Sequence, residues 1–470
     1  MKKLHALLLL SVTVLLTGCG GTLFTSYPNK IQPLTHALST GAPLNFDQIL
    51  VDETKGSDLI LYNMERGRVA HIIGKPEVSM NDFRASIDKM EDNDKKAIVS
   101  ASNVAQNVGS VFTNDNAIAY EGEGYERVLV HHYQSLNYLR KKNLEGAGVE
   151  VRRANFEQEE ALKRFEKEVE KAQKAAEEKK VDNKSMSNVD KQYAQMDEVA
   201  GKVKNSFQNA YTFYISGFIY ELLNQKNDAY IDYKKALEIY PDNHYLQKDV
   251  VRLAATLNMG DDLAALQKRF SISPDKKGAE DAESGELLVL FEDGLAPQKH
   301  EVKISLPIPR AGFVSIAFPI YREKWTPQYP INVSVDNKSV GVTEAICDIR
   351  ALAVKALKEK IPVMATRQII RAVTKGVANK MAKDQFGALG EIGMSLVNSA
   401  TENADLRSWL TLPSNAQIMR IPLSAGKHKI AIKHTNSRFA AADVDIKAKG
   451  KTVLQVVRIG EKFYTSSTSF

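Results

Sequence analysis

From about Leu59 to Phe270 apolar residues recur at i, i+3 and i+4 over long stretches free of Pro, which predicts a helical half. Ser271 to Gly285 (SISPDKKGAEDAESG) is polar and turn-forming, and predicts a linker over 271–285. Beyond it the period shortens to alternation. Strands are predicted at Glu286–Phe291, Glu301–Leu306, Gly312–Ile320, Ile331–Val335, Ala416–Pro422, Lys427–His434, Asp443–Ala448 and Thr452–Val457. Asp336-Asn337 and Lys449-Gly450 suit tight turns, and Ser424-Ala425-Gly426 suits a loop opening a strand. In Lys427–His434, Ile430 and Ile432 would face a core while Lys427, Lys429 and Lys433 face water. Short strands without a crossover pattern predict an antiparallel β-sandwich over 286–470, interrupted by a helical block at 345–403. At the other end, residues 19–46 are rich in Gly, Ser, Thr, Pro and Asn and read as a tether.

Within the helical half, Ala210 to Asn243 places Gly217, Tyr220, Ala229, Tyr233, Ala236 and Pro241 at the offsets of a tetratricopeptide repeat, which it resembles. Gly217 and Ala229 would let two antiparallel helices approach, with Tyr220 and Tyr233 filling the space beside them. Weaker copies put Ser135, Tyr138, Ala147, Val151 and Ala154, and then Gly67, Ala70, Ser79, Phe83 and Ser86, at matching offsets. The expectation is a degenerate repeat array over 47–270, with His244 to Phe270 as a capping helix. Matching to the repeat puts the first helix of each unit on a concave groove. That nominates Tyr211, Tyr214 and Phe218, with His132 and Leu136, as partner contacts; packing against a neighbouring helix is the alternative. Glu157 to Lys180 carries eight acidic and seven basic residues around one apolar stripe, and predicts a solvated helix.

Composition changes the picture mainly through charge. The 470 residues hold 63 basic and 57 acidic side chains, an excess too diluted to argue for nucleic acid. Lys2 and Lys3 precede a 13-residue, mostly apolar stretch from Leu4 to Leu16. As a helix it would span only ~20 Å against a hydrocarbon core of ~30 Å, so residues 1–18 read as a signal peptide. Leu16-Thr17-Gly18-Cys19 resembles the lipobox of bacterial lipoproteins, which implies cleavage after Gly18 and lipid on Cys19. Gly20 in place of Asp implies sorting to the outer membrane. Lipidation leaves Cys347 alone, among Ala345, Ile346 and Ile349, where it reads as a small core residue.

The diluted charge is concentrated in one place. Residues 344–384 hold nine basic and four acidic side chains, and Arg350, Lys355, Lys358, Arg367, Arg371 and Lys375 are the candidate basic surface. Ile349, Leu352, Ala353, Ala356 and Leu357 give the first helix there one apolar face, and Pro362 is expected to end it. A helical hairpin across the sandwich, adhesion to an anionic surface, and contact with a protein partner all fit this block.

No P-loop, HExxH or GxSxG occurs, and no histidine pair has ligand spacing, so no cofactor, metal or catalytic residue is nominated and a non-enzyme is expected. Tyr120-Glu121-Gly122-Glu123-Gly124-Tyr125-Glu126-Arg127-Val128, continuing to His131-His132-Tyr133, and Ala404-Asp405-Leu406-Arg407-Ser408-Trp409-Leu410-Thr411-Leu412-Pro413 resemble two motifs of a family of uncharacterised proteobacterial outer-membrane lipoproteins. The resemblance implies no activity. The expected protein is α+β and multidomain: a TPR-like α-helical repeat array, then an antiparallel β-sandwich with an inserted helical hairpin. Its expected role is a periplasm-facing scaffold for an unidentified envelope protein or peptide, anchored in the outer membrane through Cys19. The alternative is a peptidoglycan- or glycan-binding module acting through the β-domain and its basic helices.

Overall fold

The computed structural model describes residues 26–45, 50, 56, 58–100, 118–178, 183–274, 283–308, 312–322, 324, 326–373, 403–433 and 439–470. The signal peptide, Cys19 and Lys375 lie outside the described residues, as does most of the second arm expected for the helical hairpin.

The expected tether contains a helix, α1 (Tyr27–Thr40). Its Gly, Ser and Pro content obscures an apolar stripe, Tyr27, Ile31, Leu34 and Leu38, at i, i+4, i+7 and i+11, all buried. Pro28 sits in the first turn, where its missing N–H costs nothing.

The helical half continues with α2 (Leu59–Ile72), α3 (Pro76–Ser100), α4 (Gly124–Arg140), α5 (Leu144–Glu178), α6 (Asn183–Tyr193), α7 (Asp197–Ala200), α8 (Ala210–Leu222), α9 (Lys226–Ile239), α10 (His244–Thr256) and α11 (Gly260–Phe270). Among the described residues α2/α3, α4/α5, α8/α9 and α10/α11 form four hairpins with one turn geometry. Two residues past each first helix, a left-handed residue reverses the chain: Gly74, Lys142, Asn224 and Asn258. The next N–H then donates to a carbonyl five residues back: Lys75 to Ala70 (2.8 Å), Asn143 to Tyr138 (2.9 Å), Gln225 to Tyr220 (2.8 Å) and Met259 to Ala254 (2.9 Å). His244 to Phe270 is therefore a fourth hairpin and not the single capping helix expected. Gly217 sits where an added Cβ would lie 2.6 Å from the Tyr233 ring, which fits its predicted role in close helix approach.

The C-terminal half holds β1 (Ser284–Asp293), β2 (His300–Ile308), β3 (Gly312–Ile320), β4 (Asn332–Val335), β5 (Lys338–Val342), β6 (Glu344–Asp348), then a helix α12 over 349–373, and β7 (Asn415–Ser424), β8 (Gly426–Lys433), β9 (Phe439–Ile446), β10 (Lys451–Ile459) and β11 (Lys462–Ser469). The strands make three sheets among the described residues: β11-β10-β1-β7-β6, β5-β4-β8-β9, and the ribbon β2-β3. The pairing is not wholly antiparallel, because β1 and β10 run parallel. Strands β5, β6 and β11 are additional to those expected; β5 is only five residues long, and β11 carries few apolar residues and many Ser and Thr. Asp336 and Asn337 both have positive φ and close the β4–β5 hairpin as predicted. The helical block starts at Ile349 rather than residue 345, and α12 runs straight through Pro362. Burial of Ile361 just before it and of Ala365 and Ile369 beyond it offsets the lost backbone hydrogen bond.

Strand β1 is covered on both faces. Leu287, Val289 and Phe291 share a cluster with Ile430 and Ile432 of the four-stranded sheet. Leu288 and Leu290 point the other way, into a cluster containing Tyr211, Tyr214 and Phe218 of α8. The five-stranded sheet is thus a middle layer, and the apolar core continues across the change of element type near residue 280.

Candidate functional site

The five residues nominated for a partner groove lie where the helical half meets this sheet. Tyr211, Tyr214, Phe218, His132 and Leu136 are each at most 1% exposed. The sequence expectation of an open groove is therefore corrected: the chain's own sheet fills it. The helix-facing side of the sheet also carries charge. Arg68 of α2 pairs with Glu292 of β1, which accepts a second hydrogen bond from Tyr211 Oη (3.1 Å). Arg420 of β7 lies 2.9 Å from Glu221 and 3.0 Å from Asp249, and a 2.5 Å contact joins it to Glu286. Arg252 and Lys451 reach the same carboxylates, at 2.8 Å and 3.1 Å from Glu221. Burial alone would raise the Glu221 carboxyl, but Arg420, Arg252 and Lys451 hold it well below the carboxylate range. His132 lies tilted against Tyr211 (centroids 4.4 Å), and burial, with Arg68 nearby, pushes its imidazole down to about 3.

The candidate basic surface is largely answered within the chain. Arg350 pairs with Asp348 at 2.9 Å, Lys358 pairs with Asp197, and Arg371 is buried. Lys355 is half-buried and Arg367 is exposed. Cys347 is a buried free thiol, as expected.

The two sequence motifs, nearly 300 residues apart, meet. Trp409 is fully buried against Phe83 and Tyr133, with centroids 5.9 Å and 6.0 Å away. Its backbone N–H donates to Glu126 (2.7 Å), which also accepts from Tyr120 Oη and from the Glu123 N–H (2.9 Å). Glu65 of α2 accepts the next two N–H groups, Leu410 (2.7 Å) and Thr411 (2.9 Å), together with Tyr27 Oη (2.9 Å). Burial pushes the Glu65 carboxyl up to about 7 despite these donors. Two carboxylates on inner helices thus clamp one connecting segment. Sequence reasoning singled out both motifs but not Glu65 or Glu292, because a Glu inside a helix or strand carries no local mark of a partner hundreds of residues away.

Beside this junction is an open cleft of about 360 Å³. Ala161, Arg164, Phe165 and Glu168 of α5 form one wall, and Ala356, Glu359, Lys360, Val363, Met364 and Arg367 of α12 the other. Ile118, Ala119, residues 120–124 of the first motif and Phe207 lie between them, and Asp405 and Arg407 of the second motif also line it. Lys360 Nζ is 2.7 Å from Glu123, and Lys299 donates to the Arg407 carbonyl (2.9 Å). Although burial would raise it, Lys360 and Lys299 hold the Glu123 carboxyl below its ordinary value. Arg407 also donates to the Ile118 carbonyl (2.9 Å) and sits 5.4 Å over the Tyr120 ring. The cleft mixes apolar surface with both signs of charge. Such a lining suits selective binding; Arg164, Lys360 and Arg407 are held in ion pairs with Glu157, Glu123 and Asp58, while Glu168 and Arg367 are exposed.

Among the described residues, no group of three or more His, Cys, Asp or Glu could hold a metal ion, and no helix is long and apolar enough to cross a membrane. No protein family, curated protein or solved structure matches the chain.

Proposed function

We propose that this protein is a non-enzymatic scaffold of the bacterial cell envelope, lipid-anchored to the outer membrane through Cys19 and facing the periplasm. The four hairpins are read as a degenerate tetratricopeptide-like array, and the two larger sheets as a β-sandwich. In this reading the array's concave face holds the protein's own sheet, and the partner engages the α5/α12 cleft. The observation that carries it is the convergence of both sequence motifs and the helical block on one open cleft of mixed chemistry. The glycan-binding alternative needs a free basic face, and the pairing of Arg350 and Lys358 with the burial of Arg371 weighs against it.

The test is a photo-crosslinking amino acid placed in cells at Met364 in the cleft, or at Val342, 38% exposed on the edge strand β5, as control. A discrete adduct from Met364 and none from Val342 is expected, and Cys19→Ser should release the protein from the membrane fraction. Equal labelling at both positions, or none at Met364, would overturn the scaffold reading.

A further inference from the structure

Resting on that reading, we infer that the cleft's partner is an amphipathic α-helix carrying both signs of charge, which lies over the mouth and inserts apolar side chains. The walls are themselves helical faces. On α5 the lining positions 161, 164, 165 and 168 follow i, i+3, i+4 and i+7; on α12 the positions 356, 359, 360, 363, 364 and 367 continue the same rule. Ridges at these spacings interdigitate with those of another helix, and among the described residues no sheet edge lines the cleft to template an extended strand. A helix is about 10 Å across with its side chains, so 360 Å³ takes the buried stripe of a helix rather than the helix itself. Phe165 and Met364, both half-buried, are the apolar contacts the two walls offer such a stripe.

Charge narrows the class. Arg164 is paired with Glu157, Lys360 with Glu123, and Glu359 accepts from Ser206, so the exposed charges of the rim are Glu168 on α5 and Arg367 on α12. An evenly basic occupant would therefore meet like charge at Arg367 and an evenly acidic one at Glu168, whereas a helix with Lys and Glu flanking its apolar stripe can answer each.

The experiment uses the purified full chain and three designed helical peptides with one Leu stripe, flanked by mixed Lys and Glu, by Lys alone, or by Glu alone. Fluorescence anisotropy should show the mixed peptide binding at least about tenfold tighter than either uniform one, a difference of about 1.4 kcal/mol. A proline in its centre should abolish binding. Glu168→Lys should move the preference toward the Glu-flanked peptide, and because Glu168 is exposed the melting curve should not change. Equal binding of the proline-broken peptide, or a preference unmoved by Glu168→Lys, would overturn the inference. So would concentration-dependent self-association blocked by the peptide, which assigns the cleft to a second copy. Tighter binding in trans of a peptide of residues 374–402 would assign it to the chain itself. A cleft adduct in cells with no charge or helix preference here would remove this inference and leave the scaffold reading standing.

Discussion

The seam between the inner helices and the five-stranded sheet, and the cleft between α5 and α12, are built from the same residue types. In the seam, the side chains of Arg68, Glu292, Arg420, Glu221 and Asp249 are each at most 6% exposed and each meets an opposite charge. In the cleft, Glu168 and Arg367 stand exposed at the rim. The difference teaches that burial, not residue type, decides whether a charged helix face closes a fold or remains open to a partner. A buried ion pair adds little net stability, but it makes the surface that holds it intolerant of any other occupant.

The comparison breaks most visibly at Arg68. Arg68→Met leaves Glu292 buried beside Tyr211 without its paired cation, and should cost about 3–5 kcal/mol in urea unfolding. Arg68→Met combined with Glu292→Leu removes both charges and should recover most of that loss. A single variant within about 1 kcal/mol of the parent would mean that water reaches the pair, and the seam would then resemble the cleft.

A smaller effect separates the two regions by pH. The folded Glu65 carboxyl keeps its proton up to about pH 7, while its ordinary value is 4.5. Between these values the folded state binds more protons, so stability is present below about 4.5 and falls as pH rises through 7. The loss is about 3 kcal/mol for this group. Asp82 and Asp232, raised to about 6 by burial, add to the same slope. Glu157 and Glu286 act oppositely: burial would raise both, but Arg127 and Arg420 hold them at about 2, so their contribution is lost in acid. Thermal melts from pH 5 to 8 should show the fall, and Glu65→Gln should flatten it. Equal slopes in parent and variant would remove Glu65 as the cause.

Much of the architecture was legible in local pattern. Eight strands were predicted near their observed places, and Gly217, Tyr220, Ala229 and Tyr233 identified a helical hairpin whose turn recurs three more times. The helix in residues 27–40 was hidden by composition. The site divided differently. Matching to the repeat put Tyr211, Tyr214 and Phe218 on a partner groove, but periodicity says only that a face is apolar and not what covers it. Its cover comes from β1 and β7, encoded after the supposed linker. The excess of positive charge on 349–373 was equally readable, while its neutralisation by Asp197 and Glu123 required the tertiary fold.

The smallest expected stability effect is the sharpest discriminator. Arg367→Glu reverses a charge at the cleft rim, and an exposed position on a formed helix should tolerate it within about 0.5 kcal/mol. Its counterpart in the seam, Arg420→Glu, would set a third carboxylate against Glu221 and Asp249 and should prevent folding. If the cleft is a recognition surface, Arg367→Glu acts on binding while the fold stays indifferent: the Lys-flanked peptide should gain on the mixed one, the reverse of the Glu168→Lys shift. Unfolding curves and anisotropy on one preparation separate the two outcomes. A loss of stability near that of Arg68→Met would place Arg367 among the structural pairs and erase the distinction between the regions.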